Sequence, residues 1–304
     1  VIEDGPADNA RLEDLASFLL LSKIYVLHML KSNKDITDMA QCVFDNTSTI
    51  RYLNFNGGKL YKQIAIDQLN LPSSLVYLDL SKSRVSASAL QAFLAALFAN
   101  PKQNLLTLNL SELDNSNSSE SLTKIFDIPN PQSILAEFNF TGNTLTPQEL
   151  TELLDFVRTQ QQLCFLNLSG CFVDEIDESL KLVTDFIVEG NIQGIDLSSS
   201  LSNPYKQHIT TFIENLSLAK LDQNEDIDSN NSDELKIPNF RTLVITNSAM
   251  GDAGLVALQK FVEDYPELQE LNCDGACPQT TEVFKRAYQP FNTIERVTDP
   301  KDDL

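Results

Sequence analysis

One stretch decides the fold of this chain, and it reads Leu163-Cys-Phe-Leu166-Asn-Leu168-Ser-Gly-Cys171-Phe-Val173. Leu166 and Leu168 alternate with their neighbours, which is typical of a short strand with one face in a core. Cys171 follows where a tight turn accepts only a small or polar side chain. A single unit of this kind cannot bury its own apolar face, so it needs neighbouring copies.

The pattern recurs along the whole sequence. We index each copy by its second apolar strand residue, which gives nine units at Ile24, Leu53, Leu78, Leu108, Phe138, Leu166, Ile195, Leu243 and Leu271. The steps between these residues are 25 to 30 positions long, apart from one step of 48. A period of about 28–29 residues is the long form of the leucine-rich repeat, in which a strand alternates with a helix. The sequence therefore predicts an α/β solenoid, a horseshoe with a parallel β-sheet on its concave face and α-helices on its convex face.

The same periodicity predicts the domain organisation. We expect residues 1–304 to form a single leucine-rich repeat domain of about nine repeats. Residues 1–20 are predicted to be a partial or capping helical unit, because their apolar residues have helical spacing. The long step contains an insertion at 220–236, whose acidic and apolar-poor composition predicts a loop. Residues 286–304 are expected to form a degenerate C-terminal unit.

The charge of the chain limits its partners. The formal net charge is -21 at pH 7 and the sequence pI is about 4.3. A field of that sign repels nucleic acid and anionic membrane surfaces. It favours a protein partner with a basic surface, although the acidity also serves simply to keep an elongated array in solution. The sequence is also compatible with a homodimer.

Cysteine usage indicates the compartment. The five cysteines form no C-x-x-C pair and lie among apolar residues, which is typical of small core residues. Sequons such as Asn109-Leu-Ser111 belong to the strand pattern itself, so a glycan there would stand on the sheet. We therefore expect a reducing, cytoplasmic location, with no signal peptide and no membrane span.

The sequence contains no motif typical of catalysis. The two histidines, His28 and His208, have no nearby nucleophile motif, and there is no glycine-rich phosphate loop. Asp226–Asn230 matches the first half of a calcium loop, but Asn231 and Ile237 replace the glycine and glutamate that the second half requires. We expect no enzyme activity, no catalytic residues, no cofactor and no metal site.

The concave face of the predicted sheet provides the candidate site. On the chosen index, Lys23, Tyr25 and Leu27 are the residues that the first unit contributes to this face. Aromatic side chains on a polar sheet are typical interface anchors, and acidic ones would attract a basic partner. The candidate protein-binding residues are Tyr52, Tyr77, Asp79, Glu137, Phe165 and Asp196. The alternative is that these aromatic side chains pack against one another along the sheet.

The array from Leu21 to Ile294 resembles ribonuclease-inhibitor-type leucine-rich repeats, on the strength of the strand pattern and the alternation of strand and helix. The segment Ala249-Met-Gly-Asp-Ala-Gly254, which runs into a helix pattern through Phe261, resembles repeats of the CARMIL family of actin-capping-protein regulators. That resemblance implies a binding and dimerisation scaffold in actin regulation, and it transfers no site residue.

Two further classes remain. The GTPase-activating protein for Ran is built from such repeats and is acidic, but its acidic tract follows the array, whereas the acidic segment here lies inside it. The second class is a bacterial effector whose repeats bind a host protein.

Overall fold

The computed structural model describes residues 2–3, 9–65, 69, 72–100, 103–117, 120–128, 134–160, 162–172, 175–190, 192–199, 206–225, 240–248 and 252–273. The strands within these residues are β1 Ile2–Glu3, β2 Val26–Leu30, β3 Tyr52–Asn54, β4 Lys59–Leu60, β5 Tyr77–Asp79, β6 Arg84–Val85, β7 Thr107–Asn109, β8 Glu137–Asn139, β9 Phe165–Asn167, β10 Gly194–Asp196, β11 Thr242–Val244 and β12 Glu270–Asn272. The helices are α1 Asn9–Leu21, α2 Ile36–Asn46, α3 Ala87–Phe98, α4 Pro147–Arg158, α5 Ile176–Val188, α6 Lys206–Glu225 and α7 Asp252–Asp264, with a short 3-10 helix at Leu122–Phe126.

Ten of the described strands form one parallel sheet in the order β1-β2-β3-β5-β7-β8-β9-β10-β11-β12. The small strands β4 and β6 pair beside it. Neighbouring helices pack against each other in chain order, for example α4 with α5, α5 with α6, and α6 with α7. The chain is therefore an α/β leucine-rich repeat solenoid, as the periodicity predicted. We call the sheet face that carries no helices the concave face.

The index residues are in register across the sheet, so the repeat spacing is a true structural period. Leu53 pairs with Leu78 and Leu78 with Leu108, and the pairing continues through Leu166 to Leu271. The inward-facing side chains of successive units are almost entirely buried, and together they form one continuous hydrophobic core. Each unit thus covers the apolar face of its neighbour, which is why the repeats are stable only when stacked.

The first unit differs from the predicted index by three residues. Leu27, and not Ile24, pairs with Leu53, so β2 begins at Val26 and its two outward positions are Val26 and His28. The segment fits the strand pattern in both registers, because Ile24, Leu27 and the residue two further on are all apolar. The prediction that Lys23, Tyr25 and Leu27 are the residues that the first unit contributes to the concave face was therefore wrong. The buried Ser32 distinguishes the registers, since it lies five residues after Leu27, where most of the other units have a small residue such as Gly58, Ser83 or Cys171.

The turn after each strand is built in the same way throughout the array. The residue four positions after the index has a positive φ in eight units, at Lys31, Gly57, Lys82, Glu112, Gly142, Gly170, Ser199 and Asn247. The next residue is small or hydrogen-bonded inside the turn: Cys171 is fully buried, and its thiol lies 3.3 Å from the Phe140 carbonyl oxygen. Asn143 does the same work by donating its amide to the carbonyls of Leu110 and Phe140 at 2.8 Å.

Helix ends also follow the sequence signals. Thr146 and Glu149 form a reciprocal capping box in front of α4, with Pro147 in the first turn. Within its described residues, the serine- and asparagine-rich unit before it has only the short 3-10 helix. Helix α6 extends to Glu225, which includes the first part of the predicted insertion at 220–236. The rest of that insertion and the predicted C-terminal unit at 286–304 lie outside the described residues.

Candidate functional site

Three rows of residues cross the concave face, and the hydrogen bonds of the sheet fix their order. The outer row precedes the index residues and consists of Val26, Tyr52, Tyr77, Thr107, Glu137, Phe165, Gly194, Thr242 and Glu270. The central row follows the index residues and consists of His28, Asn54, Asp79, Asn109, Asn139, Asn167, Asp196, Val244 and Asn272. The edge row lies one residue before the outer row and consists of Tyr25, Arg51, Val76, Leu106, Ala136, Cys164, Gln193, Arg241 and Gln269.

The central row is a row of turns. The side-chain oxygens of Asn54, Asn109, Asn139 and Asn167 each accept a hydrogen bond from the backbone N–H two residues further along the chain. Such Asx turns end a strand and satisfy a backbone donor that the sheet leaves unpaired. The asparagine and aspartate residues at these positions therefore belong to the scaffold, whatever else they contact.

Two of the predicted acidic residues belong to this row of turns. Asp79 is only 6% exposed, and it accepts hydrogen bonds from the Ser81 backbone N–H at 2.8 Å, the Ser81 hydroxyl at 2.5 Å and the Asn54 side-chain amide at 3.1 Å. Asp196 is half-buried and accepts from the Ser198 N–H at 2.8 Å. Asp79 thus has little surface left for a partner, whereas Asp196 keeps part of its carboxylate accessible.

The two predicted tyrosines form a pair in the outer row. Tyr52 is 44% exposed, and its ring centroid lies 5.9 Å from that of Tyr77, with a tilt of 34° between the rings. Tyr77 is half-buried, and its pKa is raised, first by burial and then by the nearby carboxylate of Asp79. Tyr77 therefore packs beside Tyr52, whose ring stays partly exposed.

Glu137 and Phe165 lie further along the same row and have different surroundings. Glu137 is exposed, and the Thr107 hydroxyl lies 3.4 Å from its carboxylate. Phe165 is half-buried because its ring extends over Gly194 on the next strand. A Cβ at Gly194 would lie 2.8 Å from Phe165 Cδ2 and 2.8 Å from Thr242 Cβ. Phe165 thus packs along the sheet over a glycine. The alternative interpretation, in which the aromatic residues pack against one another, describes Tyr52 and Tyr77.

The six predicted residues therefore share one face without forming one cluster. Tyr52, Tyr77, Glu137 and Phe165 belong to the outer row, and the other two belong to the central row. From β3 to β9 the sheet advances four strands, or about 19 Å at the usual strand separation. The tyrosine pair lies at one end of that distance and Phe165 at the other.

Sequence reasoning missed the apolar residues beside the tyrosines. Tyr25, Val26 and Leu106 are 53%, 46% and 37% exposed. Val26 is next to Tyr52 in the outer row, and the other two belong to the edge row. The signal that could have found them is the buried Ser32, which fixes the register of the first unit.

Groups with chemical reactivity are scattered over the described part of the chain, and two of them, His28 and Cys164, lie in the central and edge rows. His208 Nδ1 contacts the Asp177 carboxylate between helices α5 and α6. Burial raises the pKa of the Cys171 thiol to about 12, so it stays protonated. Among the described residues there is no group of three or more histidine, cysteine, aspartate or glutamate side chains that could hold a metal ion. No helix in the described part of the chain is long and apolar enough to cross a membrane.

Comparisons with known proteins find matches only among solved structures. No protein-family model matches the sequence, and no curated protein matches it. Among solved structures, one match is an internalin from Listeria monocytogenes, with 16% sequence identity and a TM-score of 0.36 over 86% of this chain and 69% of that chain. The repeat fold is established by the register of this chain's own strands.

Proposed function

We propose that this chain is a non-enzymatic scaffold, acting as one array over residues 1–304, that binds a protein partner on its concave face. The observation that carries the proposal is the exposed side chain of Tyr52, which packs against Tyr77 on the neighbouring strand. A large aromatic side chain held in place on a rigid sheet loses little conformational entropy on binding, and such residues are frequent hot spots of interfaces.

The acidic residues define the second part of the proposal. Glu137 and Glu270 are exposed in the outer row, and Asp196 lies half-buried beside them. Together with the net charge of -21, they favour basic groups on the part of the partner that covers the later repeats. Tyr52, Tyr77 and Phe165 would supply apolar contacts to the partner. Asp79 would contribute indirectly, by stabilising the turn at Ser81.

The cellular role is a finer proposal. We infer actin regulation from the resemblance of the segment around Gly251–Gly254 to CARMIL repeats, and helix α7 begins within that segment, at Asp252. A GTP-hydrolysis assay with Ran distinguishes the Ran-activator alternative. A bacterial effector would bind a host protein through the same face.

A capture experiment tests the proposed site. The chain and a Tyr52→Ala, Tyr77→Ala, Phe165→Ala variant are immobilised at equal density, and proteins bound from cytosol are quantified by mass spectrometry. The matched control is a Leu218→Ala, Val256→Ala variant, which removes two exposed apolar side chains from helices α6 and α7. Circular dichroism establishes that each variant is folded.

We expect the aromatic variant to lose specific partners that the control variant retains. A further variant, Glu137→Lys with Asp196→Lys, is expected to lose partners with basic surfaces. Equal recovery of every protein by the wild-type chain and the aromatic variant would refute the proposed site.

A further inference from the structure

We propose that the first repeats carry an apolar docking strip for a short apolar peptide segment of a partner protein, and that a carboxylate of this segment pairs with Arg51. The strip consists of Tyr25, Val26, Tyr52, Tyr77 and Leu106 around Arg51. This inference rests on the proposed function and specifies which chemistry the N-terminal part of the concave face selects.

The sheet itself makes the strip continuous. The Tyr25 carbonyl accepts hydrogen bonds from the backbone N–H groups of both Arg51 and Tyr52, at 2.8 and 2.9 Å. In the same way, the Arg51 carbonyl accepts from Val76 and Tyr77, at 2.9 and 3.0 Å. Because each edge-row carbonyl binds two donors of the next strand, the edge row and outer row are held side by side at fixed spacing.

The strip contains an unusual share of the exposed apolar surface. Ten large hydrophobic side chains are exposed in the described part of the chain, and Tyr25, Val26, Tyr52 and Leu106 are four of them. Leu21, at the end of α1 and 89% exposed, is a fifth and precedes the strip by four residues. Contiguous exposed apolar patches on a soluble protein mark interaction sites.

Arg51 determines the charge that the partner must bring. Its side chain is exposed in the edge row, between Tyr25 and Val76, and it has no ion-pair partner within the described part of the chain. A guanidinium can bind a carboxylate through two parallel hydrogen bonds, a geometry that a lysine ammonium does not reproduce. An apolar segment with one aspartate or glutamate therefore complements the strip, whereas a basic segment does not.

A second copy of this chain fits the strip poorly. A two-fold contact centred on the strip would bring Arg51 towards Arg51, since residues close to the two-fold axis of an isologous interface meet their own copies. Each copy would also bring a net charge of -21. From β2 to β7 the strip spans about three strand separations, roughly 14 Å, which matches about four extended residues or under three helical turns. A short peptide segment is the occupant of that size.

The test is a selection from a random dodecapeptide display library against the folded wild-type chain, followed by fluorescence anisotropy with the selected synthetic peptides. We expect peptides that combine two or three large apolar residues with one aspartate or glutamate. Tyr52→Ser and Arg51→Glu are each expected to weaken their binding at least about tenfold. Arg241→Glu, in the edge row of a late repeat, is the matched control and is expected to leave binding unchanged.

A charge-swapped selection sharpens the test. Selection against the Arg51→Glu chain should yield peptides in which lysine or arginine replaces the carboxylate. Peptides that require Tyr52 but contain basic residues and ignore Arg51→Glu would overturn this inference and leave the proposed function intact. Peptides that ignore Tyr52, Tyr77 and Phe165 altogether would overturn both. Self-association of the chain through Tyr52 in sedimentation experiments would overturn this inference alone, because it is still protein binding on the concave face.

Discussion

The N-terminal half of the concave face, from β2 to β7, and the C-terminal half, from β8 to β12, are built on the same backbone and expose different side chains. In both halves the central row forms Asx turns, as at Asn54 and Asn167. In both halves each edge-row carbonyl binds two N–H groups of the next strand. The outer row, in contrast, changes from Val26, Tyr52 and Tyr77 to residues that are mostly acidic or small.

That difference separates what the fold requires from what it permits. Side chains that recur in every unit satisfy the strand, the turn or the core, so their presence says little about binding. Side chains that differ between units at equivalent positions are not required by the repeat. The apolar residues of the first half and the acidic residues of the second half are therefore where we expect selectivity for a partner to reside.

The largest expected effect tests whether the two halves share one core. Leu53→Ala and Leu166→Ala each remove a fully buried index residue, one in each half. We expect each to lower the free energy of unfolding by about 2–5 kcal/mol, through lost burial and the cavity left behind. Urea unfolding followed by circular dichroism measures this, with the exposed Leu218→Ala as the control. Two separate transitions, each sensitive to one mutation, would show that the halves unfold independently.

The second prediction concerns the packing of Phe165 in the C-terminal half. Gly194→Val should cost about 1–3 kcal/mol of unfolding free energy, because its side chain meets the Phe165 ring and Thr242. In a Phe165→Ala background we expect a smaller cost, since the ring that obstructs the new side chain is gone. Thermal and urea unfolding of the four chains of this cycle give the coupling. A zero coupling would mean that the Phe165 ring is free for a partner.

Most of the fold could be read from the sequence because the repeat enforces it. Each unit must bury its index residue, and that requirement leaves a period that the eight index residues from Leu53 to Leu271 show in the sequence. The start of α4 is also encoded locally, because Thr146 and Glu149 form the capping box in front of it. The register of the first strand could not be read from apolar residues alone, because Ile24 and Leu27 both satisfy the pattern.

The candidate site was less predictable, because exposure depends on neighbours from other units. Tyr52 and Phe165 occupy the same row and look equivalent in sequence. They differ in the structure because Gly194 gives the Phe165 ring a surface to lie on, whereas Tyr52 leans on another large ring. Asp79 likewise resembles a surface charge in sequence, although it is buried against Ser81 and Asn54.

The third prediction separates acidic residues of the scaffold from acidic residues of the surface. Asp79→Ala should lower the unfolding free energy by about 1–2 kcal/mol, because the Ser81 and Asn54 donors lose their partner. Asp79→Asn should cost less, since an amide oxygen can still accept from the Ser81 N–H. Glu137→Ala, at an exposed position of the other half, should stay within about 0.5 kcal/mol of the wild type. Chemical denaturation measures all three, and an unaffected Asp79→Ala variant would return Asp79 to the candidate binding surface.

The smallest expected effect is the alkaline titration of Tyr77. Burial, and after it the charge of Asp79, raises the pKa of this phenol above its ordinary value of 10.0, so the folded state favours the protonated form. The resulting stability is fully present below that ordinary value and is lost as the pH rises through the raised pKa. NMR of chains with 13C-labelled tyrosine should show that Asp79→Asn lowers this pKa, with Tyr77→Phe identifying the signal. The Tyr77→Phe chain should also lose less stability than the wild type in this alkaline range. If Asp79→Asn leaves the titration unchanged, the Tyr77 phenol does not sense the carboxylate, and the tyrosine pair is supported by packing alone.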